Sequence, residues 1–269
     1  MRGRTAVWVA LVMSIGAGPV AAAEHPSLAK ARALYNAADY DAAIAAASTA
    51  RADPAAADAA ALVAARSHLE RYRLRSSDPA DLAAAREALS AVRLAALSPR
   101  DQVDVWVGFG QALYLSDMFG AAAELFETAL GGAALLPLRD RWLLLDWWAT
   151  ALDREAHAAG AERRTMALQR VMARMEDELQ QDPTSAPANY WMAVSARGTG
   201  NLERAWSAAV AAWVRAPQRP DTAPTLRADI DRFVTTVLIP ERARARGARE
   251  QAAAGELRAE WDLVKEQWP

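Results

Sequence analysis

The sequence predicts an all-α protein built from paired helices, and three observations lead to this prediction. The chain is rich in Ala, Leu and Arg, which lose little side-chain freedom in a helix. Alternating runs of Val, Ile and Thr, which mark strands, are missing. Apolar residues recur at helical spacing in segments separated by turn residues. With 269 residues, of which 53% are apolar, the chain is long enough to bury a sizeable core.

Residues 1–23 have the three regions of a secretory signal peptide. Arg2 and Arg4 supply a positive n-region, residues 6–18 are apolar, and residues 21–23 are a small-residue cleavage site. The apolar stretch is shorter than the roughly 20 residues that span a bilayer. We therefore predict export, with Glu24 as the first residue of the mature chain. An uncleaved anchor or a buried first helix is the alternative.

The composition indicates where the mature chain is located and which classes of ligand it is not expected to bind. It has no cysteine, which excludes disulfides, thiol chemistry and lipid attachment after the apolar stretch. The later apolar run at 143–148 is interrupted by Asp146, so no further membrane span is predicted. The formal net charge is −2, a poor balance for binding nucleic acid. We predict a protein of the periplasm or of the extracellular space.

The clearest hairpin lies between residues 102 and 132. Its pattern consists, in order, of Trp106, Phe109, Gly110, Leu113, Ala122, Phe126 and Ala129. The small Gly110 lets a paired helix approach closely, and the aromatic rings fill the space between the two helices. This pattern resembles the tetratricopeptide repeat, which reads W-x2-L-G-x2-Y followed by A-x3-F.

Two further copies of this pattern are predicted near the start and towards the end of the chain. The first copy places a turn at residues 39–41 and a stop at Asp53-Pro54, and the last places a turn at residues 200–202 and a stop at Pro217. Asp39 and Asn201 are favourable N-caps. Small residues mark the second helices: Ala43, Ala47, Ala50, Ala205, Ala209 and Ala212.

Two longer, degenerate hairpins are predicted between these copies. Their helices are expected at residues 56–72, 81–96, 139–157 and 163–181. The resemblance therefore implies an all-α, right-handed superhelix of about five tetratricopeptide-like hairpins, with residues 24–220 as the repeat domain. A generic Ala-rich helical bundle is the alternative.

The C-terminal segment, residues 221–269, does not repeat. One apolar helix face is predicted at Leu226, Ile230, Phe233, Val234, Val237 and Leu238, and a second at Leu257, Trp261, Val264 and Trp268. Pro240 is expected to break the helix between them. We predict that these helices cap the last hairpin. The alternative is docking on a partner or self-association with a second copy of the chain.

Motifs that carry catalysis or hold a cofactor are missing from the sequence. It contains no glycine-rich phosphate loop, no G-x-S-x-G and no H-E-x-x-H. His68 is expected to be an interior histidine. His157 follows Asp153 by four residues, so both lie on one helix face, where they could act as acid and base or hold a metal. We predict a non-enzymatic protein without metal or cofactor, and the alternative is an exported enzyme or small-ligand binder with a site near Asp153 and His157.

The family resemblance implies a binding site. In tetratricopeptide proteins, the first helices of successive hairpins line a concave groove that binds peptides or protein segments. Carried over by position, the groove residues are Arg32, Tyr35, Asn36, Gln111, Tyr114, Trp147, Arg154, Tyr190 and Arg197. This mixture suits an extended peptide with some acidic character. The lysines of the family's carboxylate clamp are missing, so we do not expect a clamp for chaperone tails. From the resemblance and the predicted export we expect a scaffold in the cell envelope that binds another protein, and a homo-oligomeric structural protein is the alternative.

Overall fold

The computed structural model describes residues 25–216 and 223–269, and the regular structure within these ranges is entirely helical. The all-α prediction is confirmed. The predicted signal peptide at residues 1–23 and the predicted stop at Pro217 lie outside the described residues. Over the part of the chain that is described, no helix is both long enough and apolar enough to cross a bilayer.

The helices follow the predicted helical segments closely, except that the helix expected to run to residue 96 ends at Ser90. Their bounds are α1 (Pro26–Asn36), α2 (Tyr40–Ala50), α3 (Ala57–Arg71), α4 (Pro79–Ser90), α5 (Pro99–Tyr114), α6 (Phe119–Leu130), α7 (Leu138–Ala158), α8 (Ala161–Gln181), α9 (Ala186–Gly198), α10 (Leu202–Arg215), α11 (Ala223–Phe233), α12 (Ile239–Arg244) and α13 (Glu250–Gln267). The N-cap side chains of Asp39 and Asn201 accept hydrogen bonds from main-chain N–H groups of α2 and α10, as their positions predict.

The chain divides into two compact units between Ala151 and Leu152, within helix α7. Unit 1 holds α1 to α6 and the first part of α7, and unit 2 holds the end of α7 and the helices after it. In unit 1, the hairpins α1/α2, α3/α4 and α5/α6 pack in sequence, and the first helices α1, α3 and α5 lie side by side.

Small residues let the helices of unit 1 approach closely. Ala43, Ala47 and Ala50 of α2 are fully buried against α1 and α3. A Cβ atom added at Gly110 of α5 would lie 2.5 Å from Cε1 of Phe126 in α6, and Phe126 has no exposed surface. The predicted role of Gly110, close approach of the paired helix, is confirmed.

Tryptophans form the centre of unit 2, where the C-terminal helices pack on the last hairpin. Trp261 of α13 has no exposed surface, and its ring lies 5.4 Å from that of Trp213 and 6.1 Å from that of Trp206, both in α10. The indole N–H groups are used as well: Trp206 donates to Glu260 at 3.0 Å, and Trp261 donates to Asp231 at 2.8 Å. The apolar face around Trp261 is therefore occupied within the chain.

Two expected breaks are wider helical turns instead. Pro240 does not end its helix, because the π-helical turn Val234–Leu238 precedes it and leads directly into α12. In an α-helix the proline ring would clash with the carbonyl four residues earlier, and the π turn removes that contact. Likewise, the segment between the helices predicted at residues 56–72 and 81–96 begins as a π-helical extension of α3, Tyr72–Ser76, which ends at Ser77 with φ 45°.

Candidate partner-binding surface

The candidate groove residues of unit 1 are mostly core side chains. Tyr35 has no exposed surface, and four others are at most 7% exposed: Arg32, Gln111, Tyr114 and Trp147. The ring of Tyr114 lies 5.1 Å from that of Trp147, edge to face, so that Trp147 of α7 packs against the α5/α6 hairpin. A partner has no access to these five side chains in this conformation. Asn36, at the end of α1, is exposed.

The buried charge of Arg32 is matched within the chain. Its guanidinium donates two parallel hydrogen bonds of 3.0 Å to the carboxylate of Asp101, in the first turn of α5. Ser98, the N-cap of α5, donates to the same carboxylate at 2.9 Å. Such a bidentate pair fixes the relative position of two helices in both distance and orientation. Arg32 therefore joins α1 to α5.

A second buried charge network surrounds Asp104 of α5. Arg66 of α3 has no exposed surface; it donates to Asp104 at 3.4 Å and to the hydroxyl of Tyr35 at 3.2 Å. Arg100 contacts the other oxygen of Asp104 at 3.3 Å and reaches Asp140 of α7 at 3.1 Å. Burial raises the pKa of Asp104 to about 6, although the charges of Arg66 and Arg100 act to lower it. This network connects α1, α3, α5 and α7.

First-turn aspartates give unit 1 a repeated ion-pair arrangement. Helices α2, α3, α4, α5 and α7 each carry one in their first turn, and each pairs with an arginine from another element: Asp41 with Arg71, Asp58 with Arg93, Asp81 with Arg71, Asp101 with Arg32, and Asp140 with Arg100. An aspartate in this position also stabilises the helix, because its negative charge lies at the positive end of the helix dipole. For two of these aspartates the sequence indicates a position in the first turn of a helix, because Arg-Asp closely follows a proline at both 100–101 and 139–140.

His68 lies within one of these clusters. Its Nδ1 is 2.8 Å from Asp81, and Arg71 donates to both oxygens of that carboxylate at 2.9 Å. The hydrogen bonds from Arg71, followed by the contact with His68, lower the pKa of Asp81 to about 2 despite its burial. The histidine that the sequence predicts as interior is thus half-buried against a paired carboxylate.

The candidate residues of unit 2 remain partly exposed. Tyr190 and Arg197 lie two turns apart on α9, and Arg154 lies near the end of α7. The Tyr190 ring packs edge-on against Phe233 at 6.1 Å and leaves part of its surface open. Arg197 donates to Glu241 of α12 at 2.8 Å. This hydrogen bond raises the pKa of Arg197 against its partial burial and lowers that of Glu241.

Asp153 and His157 occupy one face of α7, as their spacing predicts. Nδ1 of His157 lies 2.6 Å from the main-chain oxygen of Asp153 and 3.5 Å from its carboxylate, and the imidazole is half exposed. The ring nitrogen is thus engaged mainly by its own helix. Elsewhere among the residues that the structure describes, no group of three or more His, Asp or Glu side chains converges as metal ligands would.

Comparisons of the chain with protein families, with curated proteins and with solved structures found no match.

Proposed function

We propose that this chain is a non-enzymatic scaffold of the periplasm or cell envelope, arranged as a tetratricopeptide-like superhelix, that binds a peptide or protein segment against the first helices of its hairpins. The observation that supports this most is the partial exposure of Arg154, Tyr190 and Arg197 on α7 and α9. The candidate positions of unit 1 are buried, except for Asn36. The proposed contact surface therefore consists of these three side chains, which lie on the end of α7 and on α9 in unit 2.

The chemistry of this face favours an acidic segment with an apolar residue beside its carboxylate. Arg197 presents a planar guanidinium that matches a carboxylate, and Glu241 occupies it in the free chain. The partly open ring of Tyr190 offers apolar contact and a hydroxyl at its edge, two features common at binding surfaces. An incoming carboxylate would take the place of Glu241 on Arg197.

Site-specific photo-cross-linking tests this proposal. A photoreactive phenylalanine analogue replaces Tyr190 in the chain from Glu24, expressed in its native envelope, and replaces Met166 in a control chain. Met166 is a suitable control because it lies on α8 of the same unit and is 61% exposed. We expect one reproducible adduct from position 190 that is absent at position 166 and is lost when Arg154 and Arg197 are both changed to Ala.

Adducts that are equal at both positions, or that survive the arginine changes in a chain with unchanged circular dichroism, would contradict the proposal. A purified activity that disappears in the His157→Ala and Asp153→Asn variants of a folded chain would instead support an enzyme.

A further inference from the structure

The connectors that lead into α3, α5 and α7 lie at the same end of unit 1. Arg93, in the α4–α5 connector, donates to Asp58 in the first turn of α3 at 2.8 Å through both its main-chain N–H and its guanidinium. Arg100, in the first turn of α5, reaches Asp140 in the first turn of α7 at 3.1 Å. These ion pairs place residues 51–56, 91–98 and 131–139 side by side at one end of the unit.

This end exposes arginine, small residues and leucine. Arg51, Arg93 and Arg139 are exposed, one on each of the three segments. Leu135 is 49% exposed and Leu138 is 36% exposed, on either side of the exposed Pro137. The three segments contain a single carboxylate, that of Asp53, which accepts a hydrogen bond from the main-chain N–H of Ala55. We call this set of segments the connector end.

Other charges around the connector end leave its cationic character in place. The N-termini of α3, α5 and α7 lie there together with the C-termini of α2, α4 and α6, so the partial charges of the helix ends offset one another. Asp101 and Asp140 in those first turns are buried and paired with arginine. The nearest helix carboxylates that are not buried, those of Glu87 in α4 and Glu127 in α6, lie about one turn back from the connectors.

The opposite end of unit 1 differs in charge. Arg71, at the end of α3, binds Asp41 and Asp81, which places the turns before α2 and α4 together there. These turns and the one before α6 expose the carboxylates of Asp39, Asp78 and Asp117. Leu74 and Met118 are exposed at this end to a degree similar to that of the leucines at the connector end. The two ends thus share apolar tips and differ in the sign of their exposed charge.

We infer that the connector end of unit 1 is a surface that binds the interface of an anionic lipid membrane. Exposed leucines at turns can enter the headgroup region without a complementary pocket, and binding of this kind strengthens with buried apolar area and with attraction to anionic headgroups. Each arginine near such a surface adds to the attraction, and salt weakens it. A polyacidic segment would pair with the arginines alone and leave Leu135 and Leu138 in water.

Flotation of the chain from Glu24, which keeps every described residue, on lipid vesicles tests this inference. The vesicles contain either equal parts of phosphatidylglycerol and phosphatidylcholine or phosphatidylcholine alone. We expect selective binding to the anionic vesicles that weakens as salt rises. The Arg51→Glu/Arg139→Glu variant is expected to lower the partition coefficient at least about tenfold, and Leu135→Ser is expected to lower it roughly threefold.

Controls come from the opposite end of the same unit and from unit 2. Leu74→Ser matches Leu135→Ser in residue type and exposure, and Arg258→Glu reverses an exposed charge on α13. Both are expected to leave the partition coefficient unchanged. Circular dichroism checks that every variant is folded.

Three outcomes would overturn the inference. The first is equal binding to both kinds of vesicle, and the second is binding that the Arg51/Arg139 variant retains. The third is binding to polyglutamate, but to neither vesicle, that Arg51→Glu/Arg139→Glu abolishes, which would assign the connector end to an acidic protein.

Discussion

Unit 1 and unit 2 are both helical, yet different side chains fix the positions of their helices. In unit 1, buried arginines and aspartates join helices across the unit, as Arg66 and Asp104 do with side chains that are fully buried. In unit 2, indole rings fill the space between helices, as Trp261 does against α10. Both solutions suit a chain without cysteine, because neither depends on a disulfide.

Because of this difference, substitutions should affect the stability of the two units in different ways. A buried ion pair gains little net stability over an apolar pair of similar volume, but removing one partner leaves an uncompensated charge in the core. A buried indole contributes mainly through its area and packing, so trimming it costs in proportion to the atoms removed. Replacing both members of a buried ion pair in unit 1 should therefore cost much less stability than replacing one of them. In unit 2, replacing the polar partner of an indole together with the indole should bring no such recovery.

The largest expected effect comes from Arg66→Met in unit 1. This change leaves the buried Asp104 with only Arg100 as a cationic partner, and Arg100 is shared with Asp140, so we expect the free energy of unfolding to fall by about 3–5 kcal/mol. Adding Asp104→Leu should restore most of the loss, because both charges are then gone. Urea denaturation of the three chains measures the effect, and a double variant that is less stable than Arg66→Met would refute this view of unit 1.

Acidification should stabilise unit 1 through Asp104. The pKa of this carboxyl is raised to about 6 in the folded chain from an ordinary value of 3.8, so the folded state binds more protons. Stability should rise as pH falls through 6, by up to about 3 kcal/mol when the pH reaches the unfolded pKa. The Asp81 and Asp58 carboxyls have lowered pKa values, so their contribution is lost only as the pH falls further.

Peptide-resolved hydrogen exchange between pH 7 and pH 4.5, corrected for the intrinsic exchange rate, measures this dependence in unit 1. Asp104→Asn should flatten it. A pH dependence that this variant leaves unchanged would assign the effect to other groups.

Gly110→Ala should destabilise unit 1 by about 1–3 kcal/mol, because the new methyl group would overlap the buried ring of Phe126. Gly255→Ala is the matched control in unit 2, since a Cβ there meets nothing within 4 Å. That change should stabilise α13 by about 0.5–1 kcal/mol. Thermal unfolding of both variants is the measurement, and shifts of the same sign would contradict the packing described for α5 and α6.

Trp261→Phe should have the smallest effect, a loss of about 1–2 kcal/mol in unit 2. The smaller ring leaves part of the contact with Trp206 and Trp213 unfilled and removes the hydrogen bond to Asp231. Lys265 still reaches that carboxylate at 3.2 Å, so no charge is left alone. Adding Asp231→Asn to this variant should change its stability little further. A recovery of stability like that expected for the Arg66/Asp104 double variant would contradict the contrast between the two units.

The sequence predicted the helical hairpins well because helical periodicity and capping are local. Asp39 and Asn201 marked helix starts, and Gly110 marked a close approach. The buried ion pairs could not be predicted in the same way, because Arg32 and Asp101 are 69 positions apart. The family pattern that assigns a residue to the groove also does not indicate whether its side chain is buried. Arg32 and Tyr190 both follow from the same family pattern, yet only Tyr190 keeps exposed surface, and the difference depends on long-range packing.

The most direct test of the proposed binding surface is the affinity of the segment captured at position 190 for three chains. Glu241 holds Arg197 in the free chain, so Glu241→Gln should remove a competitor and tighten binding of the acidic segment. Arg197→Ala should weaken it about tenfold or more. Isothermal titration with the wild-type chain as reference measures both changes. Binding that Glu241→Gln weakens, or that Arg197→Ala leaves unchanged, would contradict the proposed binding surface.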